Sequence, residues 1–224
     1  MQTVVFSDTI LVFSKDENLP VHYYCTYLVE YSQELFYKLC SINVYFKAIL
    51  TFGEFSFSQL KYIQAYFGLA LIDAYKDEKC LKGFGLFVDK NISEEIIIFD
   101  KVNFSEKYKF VLLCQSLVNL YKTTCGVLPI DINILNETDT YHRIDEDLRF
   151  LREVEYLKNS HTEDRVKDKY QKVYDIYRGV MPLFFEIFEK DGFLPFSINN
   201  EYTGSINPFE LLSEKEMECN WESK

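Results

Sequence analysis

Apolar residues crowd the start of the chain in two runs, Val4-Val5-Phe6 and Ile10-Leu11-Val12-Phe13, with Ser7-Asp8-Thr9 between them. Two short runs of strand formers around turn formers predict a hairpin over 3–13 that reverses at Ser7-Asp8. The rhythm then changes. After Pro20, residues Val21, Tyr24, Cys25, Leu28, Leu35 and Leu39 recur at three- and four-residue steps, which predicts an amphipathic helix to about residue 40. From 44 to 57 the pattern alternates, with Val44, Phe46, Ala48, Leu50 and Phe52 on one side. Period two predicts a single long strand, bent at Gly53-Glu54.

Further along, Gly68, Leu71, Ile72, Tyr75 and Lys79 mark the flank of a second helix. A short strand is expected at 84–88, another apolar run lies at 96–99, a helical period covers 107–121, and 127–135 reads as extended. Strands and helices thus alternate over 1–135, the signature of an α+β or α/β domain with helices on a sheet. After Asn136 the chain becomes charged, with apolar residues at helical intervals. Two helices are expected around 148–157 and 166–177, with Thr162 as N-cap of the second, and a third over 181–188. The division that follows is a sheet domain at 1–135 and a helical extension at 136–224 that packs on it.

Composition narrows the function classes. The 224 residues are 48% hydrophobic and carry 20 Phe and 17 Tyr, a composition that favours a packed core over disorder. The formal charge of −11 repels polyanions at long range, so neither nucleic acid nor an anionic membrane is an expected partner. A small anion would need a local cation or a metal. The six cysteines (25, 40, 80, 114, 125 and 219) form no CxxC pair, and the three histidines stand at no ligand spacing from them. Scattered thiols on apolar segments read as buried residues of a reduced, cytoplasmic protein. The N-terminus has no basic region before its apolar run, and no apolar stretch reaches the length of a membrane span.

Three segments in order carry a family likeness: Val5-Phe6-Ser7-Asp8-Thr9-Ile10-Leu11-Val12, then Phe46-Lys47-Ala48-Ile49-Leu50-Thr51-Phe52-Gly53-Glu54, then Tyr66 through Tyr75 with Gly68, Ala70, Leu71 and Ala74. Together they resemble the hairpin, strand and helix motifs of the class III nucleotidyl cyclase-like family, the adenylate and guanylate cyclase domain, particularly its small bacterial members. The likeness covers roughly 3–90. It implies a ferredoxin-like sheet with helices packed on it, here without the first strand, and a head-to-tail dimer with composite sites. In such enzymes two aspartates hold two divalent ions, Mg²⁺ or Mn²⁺, that activate the ribose hydroxyl and the α-phosphate of a nucleoside triphosphate. An arginine on the helix neutralises the transition state, and an asparagine one turn earlier orients the ribose.

Transferred residue by residue, the likeness makes Asp8 the metal ligand, Lys76 the transition-state cation and Lys47 a second phosphate cation. Ile72 falls where the asparagine would stand, and it cannot hydrogen-bond a ribose. Lysine at 76 and 47 keeps the charge but not the planar fork of arginine. The reading preferred on these residues is a non-catalytic interaction, regulatory or nucleotide-binding module that works as a homodimer or with a partner protein. The alternative is a metal-dependent cyclase completed by a partner or by upstream sequence; a truncated reading frame is a third. Plainer roles stand beside each: Asp8 as a turn residue, Lys76 as a solvated helix face, and Asp145-Glu146-Asp147 as helix surface.

Overall fold

A computed structural model of the chain describes residues 1–6, 9–14, 18–59, 61, 64–131, 133 and 143–201. It is a mixed α+β protein that divides into two compact units. The first comprises 1–113 with 158–176, the second 114–157 with 177–224.

In the first unit, β1 (Gln2–Phe6) and β2 (Thr9–Phe13) pair antiparallel with Phe6 opposite Thr9, which is the expected hairpin. Its turn residues, Ser7 and Asp8, lie outside the described residues. Helix α1 (Val21–Cys40) starts directly after Pro20, whose backbone (φ −56°, ψ 149°) is extended while its carbonyl accepts from Tyr23 N–H. α1 buries Cys25, Val29, Phe36, Tyr37 and Cys40, and ties itself to the end of the sheet through Leu113. The carbonyl of Leu113 accepts from Gln33 Nε2 at 2.8 Å and from the Tyr37 hydroxyl at 3.1 Å.

The main sheet holds four strands in the order β3 (Lys47–Leu50), β6 (Gly85–Asp89), β8 (Tyr108–Val111), β7 (Lys101–Asn103). β3 and β6 are parallel, while β6–β8 and β8–β7 are antiparallel. β6 is buried along its whole length, as its Gly-Leu-Phe-Val run requires of a central strand. Between β3 and β6 the chain forms a second hairpin, β4 (Ser56–Gln59) with β5 (Gln64–Phe67), and then helix α2 (Leu69–Cys80).

Two expectations are corrected here. The single strand over 44–57 is two strands in two sheets, because the chain leaves β3 at Thr51 and turns toward α2. There the Glu54 carbonyl accepts from Ala70 N–H in the first turn of α2 at 3.3 Å, and Gly53 lies against Ala70. The helical period over 107–121 conceals β8, in which Tyr108, Phe110 and Val111 are buried and Lys109 half-buried, because Phe110 falls at helical steps with Leu113, Cys114 and Leu117 beyond it. The apolar run at 96–99 is no strand. Ile96 and Phe99 are buried and Ile97 and Ile98 exposed, and the Lys101 ammonium donates to the Ile96 carbonyl.

In the second unit, α3 (Gln115–Thr124), α4 (Ile144–Ser160) and α6 (Pro182–Asp191) contribute Leu117, Leu120, Leu148, Leu151, Phe184 and Phe188 to a helical core. α5 (Asp164–Val180) supplies residues to both units. It begins after Glu163, whose carbonyl accepts from Val166 and Lys167 N–H, so the predicted Thr162 cap is displaced by one residue. Phe193 packs on Phe185 and Phe188, with ring centroids 5.5 and 5.8 Å away. Described residues 127–131 form no strand, in contrast to the extended segment expected there.

Asp145-Glu146-Asp147 also departs from expectation: Asp145 and Asp147 are buried, not surface. Asp147 accepts from Leu117 N–H at 3.0 Å, and the Tyr177 hydroxyl accepts from Cys114 N–H at 3.3 Å. These two side chains satisfy amides at the start of α3 that no helical carbonyl can reach. The desolvation that accompanies this burial pushes the Tyr177 phenol well above its ordinary range. Of the cysteines, Cys25, Cys40 and Cys114 are buried as expected; Cys80 and Cys125 are exposed.

Candidate functional site

α2 is the element on which the candidate residues converge, and it is an unusual helix. None of its side chains is buried. Gly68 begins it at φ +149°, where a Cβ would lie 2.2 Å from the Glu54 carbonyl oxygen, so only glycine allows this approach. Leu69, Ile72 and Tyr75 follow at three-residue steps and share an exposed flank.

Lys76 is exposed on the same helix and makes no ion pair with Asp73. Lys47, the first residue of β3, reaches the other end of α2. Its ammonium donates to the carbonyls of Glu78 and Leu81 at 2.8 Å each, and to Glu78 Oε1 at 3.0 Å. All three donors of the ammonium are therefore engaged on the C-terminus of α2, where the helix dipole favours a cation. Asp8, the candidate metal ligand, lies outside the described residues. Among the described residues no three His, Cys, Asp or Glu side chains are grouped to hold a metal ion.

The α2 exit opens into a cavity of about 460 Å³ lined by Lys47, Lys79, Lys82, Arg165, Lys169 and the carboxylates Glu78 and Asp168. Arg165, Asp168 and Lys169 stand at i, i+3 and i+4 on α5 and so share one face. An aromatic cluster holds that face in place: the Tyr170 ring lies 5.0 Å from Phe84 and 5.9 Å from Tyr45, which themselves are 5.2 Å apart.

A second cavity of about 400 Å³ shares Leu81 and Lys82 and is closed by Asp77, Lys107, Tyr108 and Lys172. Here Asp77 Oδ2 accepts from Lys107 Nζ and from the Tyr108 hydroxyl, both at 2.6 Å. The Lys107 bond, with the phenol second, holds the Asp77 carboxyl below its usual range. Burial, and then the bond to Asp77, push the Tyr108 phenol up to about 12.

The α5 wall of the basic cavity is what sequence reasoning missed as a site. The helical spacing of Arg165 and Lys169 was visible, but nothing local says that they face Lys79 and Lys82, some eighty residues earlier. Among the described residues no helix is long and apolar enough to cross a membrane. No protein-family model, curated protein or solved structure matches the chain.

Proposed function

We propose that the chain is a non-catalytic interaction module of cyclase-like type, which pairs with a second copy of itself through the exposed flank of α2. One observation carries this reading: an apolar face left uncovered. Leu69, Ile72 and Tyr75 are 61, 47 and 64% exposed, and Phe52 and Phe67, next in sequence to the Gly53 and Gly68 that meet the start of the helix, are 69 and 55% exposed. These five side chains present on the order of 500 Å² of apolar surface, at the upper end of what a soluble monomer leaves bare. Two such faces meeting about a two-fold axis bury roughly 1,000 Å², the lower bound of a specific interface.

The residues of the would-be site support the same reading. Ile72 contributes area where the resembling enzymes need a hydrogen bond to ribose. Lys47 is occupied with the α2 C-terminus and has no donor left for a phosphate. A ferredoxin-like, cyclase-type arrangement belongs to this proposal; a helix between two parallel strands, with an antiparallel strand beside them, supports it. A nucleoside triphosphate and a divalent metal enter only with the catalytic alternative, which depends on Asp8.

The catalytic question is tested by incubating the protein with Mn²⁺ and each nucleoside triphosphate. The proposal expects no cyclic product above the protein-free background, for the natural chain and for Asp8→Ala alike. Cyclic product that disappears in Asp8→Ala would replace the proposal with the enzyme reading.

A further inference from the structure

We propose that the cavity between the exit of α2 and the first turns of α5 binds a small ligand carrying a chain of two or more phosphates. Five cations and two carboxylates line it, a local excess of positive charge in a chain whose formal balance is −11. A concave group with a net excess of one sign focuses the potential on whatever enters.

The state of each cation sharpens the point. Lys47 is fixed, and the Glu78 carboxylate is matched to it at 3.0 Å. Lys79 lies over the Tyr75 ring at 4.4 Å, so its charge is held near the α2 exit without a carboxylate partner. Lys82, Arg165 and Lys169 have no hydrogen bond or ion pair to a side chain among the described residues. Arg165 offers a planar fork that takes two phosphate oxygens at once, and the lysines offer point charges around it. A carboxylate or sulfate would satisfy one or two of these groups. A phosphate chain, with about −2 on its terminal group alone, engages both walls.

Size and field define the class from the other side. A volume of about 460 Å³ suits a small molecule. An extended polyanion would leave the basic patch and meet the acidic remainder of the protein, which repels it. Asp168 is the lining carboxylate that has no cation partner among the described residues, and it opposes the ligand. The inference does not rest on the self-association reading: the two share only Tyr75, whose ring lies under Lys79, while Lys82, Arg165 and Lys169 stand away from the Leu69–Tyr75 flank.

The test is calorimetric titration of the full chain at low ionic strength with sodium tripolyphosphate, with ATP, and with sulfate at matched ionic strength. Tripolyphosphate should bind one-to-one and sulfate should not. Arg165→Glu/Lys169→Glu should weaken binding at least about tenfold, the counterpart of about 1.4 kcal/mol. The milder Arg165→Gln/Lys169→Gln should weaken it less, and circular dichroism shows whether each variant keeps its helices. Asp168→Asn should tighten binding about two- to threefold, and Lys38→Glu on α1, which removes the same charge as Arg165→Gln/Lys169→Gln but elsewhere, should leave it unchanged. ATP binding no tighter than tripolyphosphate assigns the site to the bare phosphate chain; tighter binding assigns it to a nucleotide. Tripolyphosphate no tighter than sulfate, or an equal loss in Lys38→Glu and in the folded α5 variants, overturns the proposal.

Discussion

The Lys47 ammonium lies 2.8 Å from the Leu81 carbonyl oxygen, so the first residue of β3 holds the last turn of the helix that precedes β6. With the Glu78 carbonyl and carboxylate as further acceptors, Lys47 acts as a C-cap supplied from outside the helix. Charge-assisted bonds of this kind contribute about 1.5–3 kcal/mol where water is partly excluded. Lys47→Met should therefore cost about 2 kcal/mol in urea unfolding followed by circular dichroism. Lys76→Met, on the exposed flank, should stay within about 0.5 kcal/mol. Equal effects of the two would remove the distinction drawn between them.

Gly68 and Gly179 should respond in opposite directions to alanine. At Gly68 the added Cβ would meet the Glu54 carbonyl oxygen at 2.2 Å and the Phe55 Cα at 2.8 Å, with φ at +149°. Gly68→Ala should lose about 2–4 kcal/mol, since backbone is what must move. Near the end of α5, an alanine Cβ at Gly179 meets nothing within 4 Å. Gly179→Ala should gain about 0.5–1 kcal/mol through helix propensity. Thermal unfolding of both variants checks the pair.

The Tyr108–Asp77 hydrogen bond gives a pH signature at both ends of the scale. The Asp77 carboxyl is lowered in the folded protein, so its contribution is present above its unfolded value near 3.9 and is lost as pH falls through the folded value. The Tyr108 phenol is raised to about 12, so its contribution is complete below its unfolded value near 10 and is lost as pH rises toward 12. Tyr108→Phe should cost about 1 kcal/mol across the neutral range. The difference from the natural chain should narrow below about pH 4 and above about pH 10. A difference that does not change with pH would mean that the ring's packing, not the bond to Asp77, is what the variant loses.

In the second unit, Asp147 is a buried carboxylate that receives the Leu117 amide at the head of α3. Removing it leaves a desolvated donor without an acceptor. Asp147→Ala should cost about 2–4 kcal/mol by urea unfolding, while the exposed neighbour Glu146→Ala should change stability by no more than about 0.5 kcal/mol.

Local periodicity carried most of the secondary structure. The hairpin at the start, α1, α2 and the three charged helices were readable from their periodicity or from a clear boundary residue such as Pro20 or Gly68, and β6 from a short apolar run set off by Gly83 and Gly85. β8 was not, because Phe110 falls at helical steps with Leu113, Cys114 and Leu117, so the strand runs into the pattern of α3 without a break. The bend at Gly53-Glu54 was legible, but not that β3 ends before it, since the Glu54 carbonyl is taken up by a residue of α2. Asp147 looked like surface because a charged triplet reads the same way whether its partner is water or a backbone amide on another helix. For the same reason Arg165 and Lys169 could be placed on one face of α5 while their meeting with Lys79 and Lys82 stayed invisible. Such pairings are properties of the tertiary fold, and no window of sequence contains both members.

Sedimentation equilibrium over a concentration series tests the bare flank of α2 as a self-association surface most directly. The natural chain should show a reversible monomer–dimer equilibrium, and Ile72→Glu/Tyr75→Glu should sediment as a monomer with unchanged circular dichroism. A natural chain that remains monomeric throughout the series, or a dimer indifferent to both substitutions, would contradict it.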